Sequence, residues 1–223
     1  MADQSWLASF WAYLQFDWPQ VLDLAIQHAI IVAVAVAIAT VIGVGLGVAT
    51  YRTERPRELV LAVTSTFLTI PSLALFGVFL SISFLGLGAR SVVLALVLYG
   101  LLPITRNTVV GLRAVDSAVV ESAQGMGLDP RQRLLQIELP LAWPVILTGI
   151  RVSTLILIGI AAIGAYIRGP GLGRLIFDGL ARIGSAVALN LVLAGTLGVI
   201  VLAILFDLAY TLLNRVTVPR GLR

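Results

Sequence analysis

The stretch "LDLAIQHAIIVAVAVAIATVIGVGLGVATY", Leu22 to Tyr51, carries a single charge, on Asp23. A helix of about 20 apolar residues crosses a bilayer core of roughly 30 Å. The apolar residues here run continuously instead of alternating, so a lipid-facing β-strand is the poorer reading. Comparable runs recur at about Leu59–Leu85, Ser91–Val110, Leu141–Ile167 and Ala188–Asn214. The second is interrupted at "TIPSLALFG" and the third at "LLPIT". The expected fold class is therefore an all-α membrane protein with about five transmembrane helices. Composition agrees: of 223 residues 59% are hydrophobic and 12% charged, against about 25% charged in a soluble domain. The "GVGLGVA" segment, Gly43–Ala49, supplies small residues that let a neighbouring helix approach closely.

All fifteen basic residues are Arg. They sit in short segments between apolar runs, a pattern that reports membrane topology before nucleic-acid binding. Arg52, Arg55, Arg57, Arg106, Arg113, Arg131, Arg133, Arg151, Arg215, Arg220 and Arg223 fall on one side, eleven in all; Arg90, Arg168, Arg174 and Arg182 fall on the other. The Arg-rich side is expected to be cytoplasmic, with the N-terminus outside and the C-terminus inside. There is no cysteine, which excludes disulfides and thiolate metal sites, and a single histidine, His28, is read as structural.

The N-terminal residues lack the basic start and small-residue cleavage site of a signal peptide. In "SWLASFWAYLQFDWP", Trp6, Leu7, Phe10, Trp11 and Leu14 recur at helical spacing. Residues 1–20 are expected to form a short amphipathic leader lying along the extracytoplasmic membrane surface. Residues 21–223 then form the transmembrane domain.

Between the third and fourth runs lies a polar piece, residues 116–140. It reads as two short helices joined by a turn. Asp116 or Ser117 can cap the first, and Gly125 and Gly127 can stop it. Asp129, Pro130 and Gln132 make a capping-box-like start for the second, and Pro140 is expected to end that helix and begin the next span. Val119, Ala123 and Met126 lie near one face of the first helix, which suits insertion into a partner's groove. Leu134, Leu135, Ile137 and Leu139 of the second are placed to pack beneath the spans.

These residues carry a specific resemblance. The integral subunits of bacterial ABC importers share a cytoplasmic motif: EAA, three residues, G, nine residues, I, one residue, LP. Here Glu121-Ser122-Ala123 is followed at those spacings by Gly127, Ile137 and Leu139-Pro140, with Ser122 the one departure. "TIPSLALFG", "LYGLLPITRNTVVGL", "GPGLGRLIF" and "VTVPRGLR" extend the likeness to the osmoprotectant branch, the glycine betaine, carnitine, choline and proline permeases, over about Val21–Arg223. "GAYIRGPGLG", Gly164–Gly173, departs from the Ala- and Gly-rich sequence expected there. The resemblance implies a MetI-like fold in the bacterial inner membrane. It also implies a coupling helix docked on a separate cytoplasmic ATPase dimer, a second permease subunit (a sister chain favoured over an identical copy) and an extracytoplasmic binding protein. ATP and Mg would be used by the ATPase, and this chain itself would bind no cofactor. The coupling residues implied are Glu121, Ser122, Ala123, Gly127, Ile137, Leu139 and Pro140.

The chain carries no phosphate-binding loop of the "GxxxxGK[ST]" type and no nucleophile–base constellation, so it is expected to be non-catalytic. Pathway candidates follow from the interrupted spans, because broken backbone at membrane depth is tolerated only inside protein or along a cavity. They are Pro71 and Pro103, with the polar Thr66, Thr69, Ser72 and Tyr99 beside them. The alternative is that these hydroxyls serve freed backbone groups. Asp207 is an acid within the fifth run, a functional candidate by default, and pairing with Arg215 is the competing reading. No aromatic cage for a quaternary ammonium is evident, which moves solute recognition to the binding protein. An amino-acid cargo, an ion-coupled transporter and a non-transporting scaffold are the alternatives.

Overall fold

The computed structural model describes residues 5–218. Those residues form helices and connecting turns with no strand among them. The helices are α1 (Ser5–Thr50), α2 (Glu54–Thr69), α3 (Ser72–Leu80), α4 (Ala89–Arg113), α5 (Ser117–Gly125), α6 (Pro130–Arg133), α7 (Leu139–Ile163), α8 (Gly173–Ala181) and α9 (Ala188–Thr217). Among the described residues four helices are long and apolar enough to span a membrane, or five when the bent pair α2–α3 counts as one span. The bend falls at Ile70–Pro71, inside the predicted "TIPSLALFG" interruption. Arg220 and Arg223 lie outside the described residues.

The chain forms two compact units. One draws on the chain to Ala35, Ile70–Leu96 and Leu155–Phe206; the other on Val36–Thr69, Val97–Thr154 and the chain from Asp207. In the first, Val21 and Leu24 of α1 pack with Leu172, just before α8, Leu175 of α8, and Leu191, Ala194 and Leu202 of α9. Phe10, Tyr13 and Leu14 extend that core, and the Asn190 amide donates to Ser9 Oγ at 2.8 Å. The N-terminal segment is thus no separate surface helix. It continues α1 through Pro19 without a break; Phe10, Tyr13 and Leu14 pack on their own chain, while Trp6, Leu7 and Trp11 stay exposed.

In the second unit α1 lies close against α4. A Cβ at Gly47 would stand 2.6 Å from the Thr108 side chain, and one at Gly43 2.9 Å from Ile104. The expected close approach is therefore made, and α4 is its partner. α7 adds a further layer on α4, where Ser153 Oγ donates to Gly100 O at 3.3 Å. α4 runs unbroken through Pro103, contrary to the interruption expected there. The Asn107 amide donates to Pro103 O at 2.8 Å, beside the site where the proline withholds its N–H. Large apolar side chains stay exposed along α9, including Leu197, Ile200, Val201, Ile204 and Leu208. In water such a surface promotes association; in a bilayer it meets lipid.

Candidate functional site

The polar segment after α4 is ordered by local hydrogen bonds at each end of each helix. Asp116 caps α5, its side chain accepting from Ala118 N at 2.8 Å. α5 closes in a Schellman arrangement: Leu128 N donates to Ala123 O at 3.2 Å and Gly127 N to Gln124 O at 2.9 Å. Gly127 makes this possible by adopting φ +86°. Asp129 then opens α6 with a full capping box. It accepts from Arg131 N and Gln132 N, and its own N–H donates to Gln132 Oε1 at 2.9 Å. An 8–9-residue helix is marginal alone, so these caps and its packing hold α5 in place.

The second helix does not end at Pro140. Helical backbone runs from Pro130 to Ile167, with Leu134–Glu138 wound as a π turn. Leu139 N reaches back five residues to Leu134 O. That wider turn carries the helix past the proline, whose ring would otherwise crowd the preceding turn.

Glu138 sits at the end of the π turn and its side chain is 4% exposed. Its carboxylate accepts from Tyr51 Oη at 2.7 Å and Arg52 Nη2 at 2.7 Å, with Arg133 Nε at 3.4 Å. Arg133 also reaches Gln124 Oε1 of α5 at 3.3 Å. One buried acid therefore ties the end of α1, α6 and the start of α7 together, and α5 joins through Arg133. Burial first, and then donation to this carboxylate, push the Tyr51 phenol up to about 12. Removing one partner of such a site is costly, because the others remain buried with unmet charge.

The motif residues divide by exposure. Glu121, Ser122, Gly127 and Pro140 are exposed, while Ile137 and Leu139 are half-buried. Ala123 is buried within its own chain, at 1% exposure. It therefore does not enter a partner's groove as the sequence suggested; it seats α5, and Val119, Met126 and Leu135 are left on the outside. Beside them an apolar groove of about 370 Å³ is lined by Val119, Ile137, Pro140, Leu141, Trp143 and Thr217, among others. Trp143 Nε1 donates to Thr217 Oγ1 at 2.9 Å and fixes its edge.

The pathway candidates are each placed by their own element. Thr66 and Thr69 donate to the carbonyls of Ala62 and Thr66 within α2, so their hydroxyl protons serve the backbone. Pro71 caps the start of α3, Ser72 is its half-buried first residue, Tyr99 is buried and Pro103 lies inside α4. Asp207 pairs with Arg151, not Arg215. Nε and Nη2 of Arg151 meet the two carboxylate oxygens, each at 2.6 Å. Arg215 stands eight residues further along the same helix, about 12 Å away along the axis. Arg151 is the central residue of α7, so it does not belong to the count of boundary arginines; the asymmetry of the remainder keeps its sign.

Sequence reading missed Glu138, Tyr51 and Arg52 as a group. The available signal was an acid placed between Ile137 and Leu139-Pro140, directly before a long apolar run. Its partners lie more than eighty residues earlier in the chain, beyond the reach of any local pattern.

Residues 39–218 match the family described as "Binding-protein-dependent transport system inner membrane component". The chain is 35% identical to the choline transport system permease protein OpuBB of Bacillus subtilis (strain 168), over 95% of this chain and 94% of that protein. It is 39% identical to the carnitine transport permease protein OpuCD of Listeria monocytogenes serotype 1/2a (strain 10403S), over 93% and 91%. In fold it resembles a chain of the inward-facing MetNI methionine ABC transporter, with TM-score 0.78 and 21% identity over 90% of this chain and 99% of that one.

Proposed function

The chain belongs to the family of binding-protein-dependent transport system inner membrane components, and from this we propose that it is the permease of an ATP-driven importer of osmoprotectants such as glycine betaine, choline, carnitine or proline. It is itself non-catalytic: a partner ATPase binds and hydrolyses ATP with Mg. The Arg-rich side faces the cytoplasm, and the segment from Asp116 to Pro140 docks on that ATPase. A second permease subunit, a sister chain in preference to an identical copy, completes the pathway, and an extracytoplasmic binding protein delivers the solute.

The observation that carries this reading is the exposed α5, capped at both ends and tied through Arg133 to the buried Glu138. A push on α5 is thereby passed to the base of α7 and the end of α1. The choice of solute is supported by relatives named for choline and carnitine that match nearly the whole chain. Thr66, Thr69, Pro71 and Ser72 stand at the broken span, which supplies irregular backbone where a polar solute must cross, and Tyr99 and Pro103 of α4 complete the pathway candidates.

The test is uptake into vesicles holding the full complex. Labelled choline or glycine betaine should enter only with ATP, and excess carnitine should compete where amino acids other than proline do not. Gly127→Ala should leave the complex assembled but lower solute moved per ATP, since φ +86° is strained for any side chain. Uptake without ATP, or competition by amino acids alone, would overturn the proposal.

A further inference from the structure

A cavity of about 340 Å³ opens where the chain leaves α1 and enters α2, lined by Tyr51, Arg52, Glu54, Arg57, Leu112 and Arg113. Its lining thus carries three guanidinium groups and one carboxylate. That carboxylate, on Glu54, is 80% exposed and stands 3.8 Å from Arg57, beyond hydrogen-bond range. The Arg57 side chain is only 14% exposed. A guanidinium brings five N–H donors, and withdrawing it from water beside so loose a partner is costly. An arginine that merely reports topology has no need to be withdrawn.

The remaining walls are set in advance. Arg52 is held by Glu138 at 2.7 Å and lies over the Tyr51 ring, 5.0 Å from its centroid. Arg113 closes the last turn of α4, next to the buried Leu112. The cavity also borders the first turn of α2, and a helix start adds partial positive charge. α1 and α4 are both candidate spans that end here, so the site lies at the level of lipid headgroups.

We propose that this cavity binds a phosphate group, either the phosphodiester of an anionic lipid or a free phosphate ion from the adjoining water. Planar guanidinium groups match phosphate oxygens in pairs. A bound anion would also add a second acceptor to Arg52 and so loosen its hold on Glu138, which links occupancy of the site to the segment described above. Binding itself does not depend on the transport reading.

The test uses the assembled complex in phosphatidylcholine vesicles carrying a minor fraction of photoactivatable phosphatidylglycerol. After irradiation, labelled peptides are quantified. Labelling should centre on the segments around Arg52–Arg57 and Arg113. In the double variant Arg57→Gln, Arg113→Gln it should fall about tenfold or more, since each charge-assisted contact is worth about a decade in affinity. Displacement by excess inorganic phosphate would assign the site to the free ion as well; persistence of the label would assign it to the lipid headgroup. Unchanged labelling in the double variant would overturn the proposal. Thermal unfolding checks that the variant is folded, and should it fail, Arg113→Gln alone, at an exposed helix end, is measured against the same criterion.

Discussion

Glu138 shows how a single side chain can organise a segment whose other residues look like a loop. Its carboxylate has donors from the end of α1 and from α6, so its loss strands an arginine and a tyrosine together. Glu138→Ala should lower stability by about 3 kcal/mol, read from thermal unfolding in detergent, and Tyr51→Phe by about 1 kcal/mol. The tyrosine also predicts a pH dependence. Its phenol is raised from 10.0 to about 12, so the folded state holds the proton more tightly than the unfolded chain. The stability from this group is fully present below pH 10 and is lost as pH rises through about 12. In an alkaline titration the wild-type chain should lose stability more steeply across that window than Tyr51→Phe does. An equal slope would place the raised phenol elsewhere.

At the scale of elements, helix caps and small residues were legible because their causes are local. Asp116 and Asp129 accept from amides two or three residues on, Gly127 donates its own amide three residues back, and the sequence displays them side by side. The three departures have the opposite character. Whether Pro103 breaks α4, Pro140 ends a helix or Pro19 separates a leader depends on neighbours distant in sequence or on a π turn, and no window of residues contains that information. The glycines of α1 give a sharp check. A Cβ at Gly47 meets Thr108 at 2.6 Å, whereas one at Gly45 meets nothing within 4 Å. Gly47→Val should therefore destabilise the fold by about 1–3 kcal/mol through overpacking. Gly45→Ala should be neutral or gain up to about 1 kcal/mol from helix propensity. Similar effects of the two substitutions on the thermal midpoint would contradict the α1–α4 packing.

For the whole molecule, the Arg151–Asp207 pair sets a constraint that composition alone did not reveal. Two opposite charges at the middle of α7 and within α9 are tolerable in a bilayer because they neutralise each other and share two hydrogen bonds. Arg151→Ala and Asp207→Ala should each cut the yield of correctly inserted protein, and the double variant should recover part of it. A double variant as poor as the worse single one would mean that the two charges act separately. The π turn at Leu134–Glu138 has a consequence of another kind. It is, in effect, one surplus residue wound into an otherwise regular helix. Deleting Gln136 should restore an ordinary α-helix with both flanks in phase; winding all of these residues as an ordinary α-helix would instead turn every residue upstream by about 100° about the axis of α7. The spans would still insert, yet α5 would address a different direction in space. The spacing that identifies the motif therefore works as a phase setting: it fixes the angle at which this membrane protein presents itself to whatever drives it.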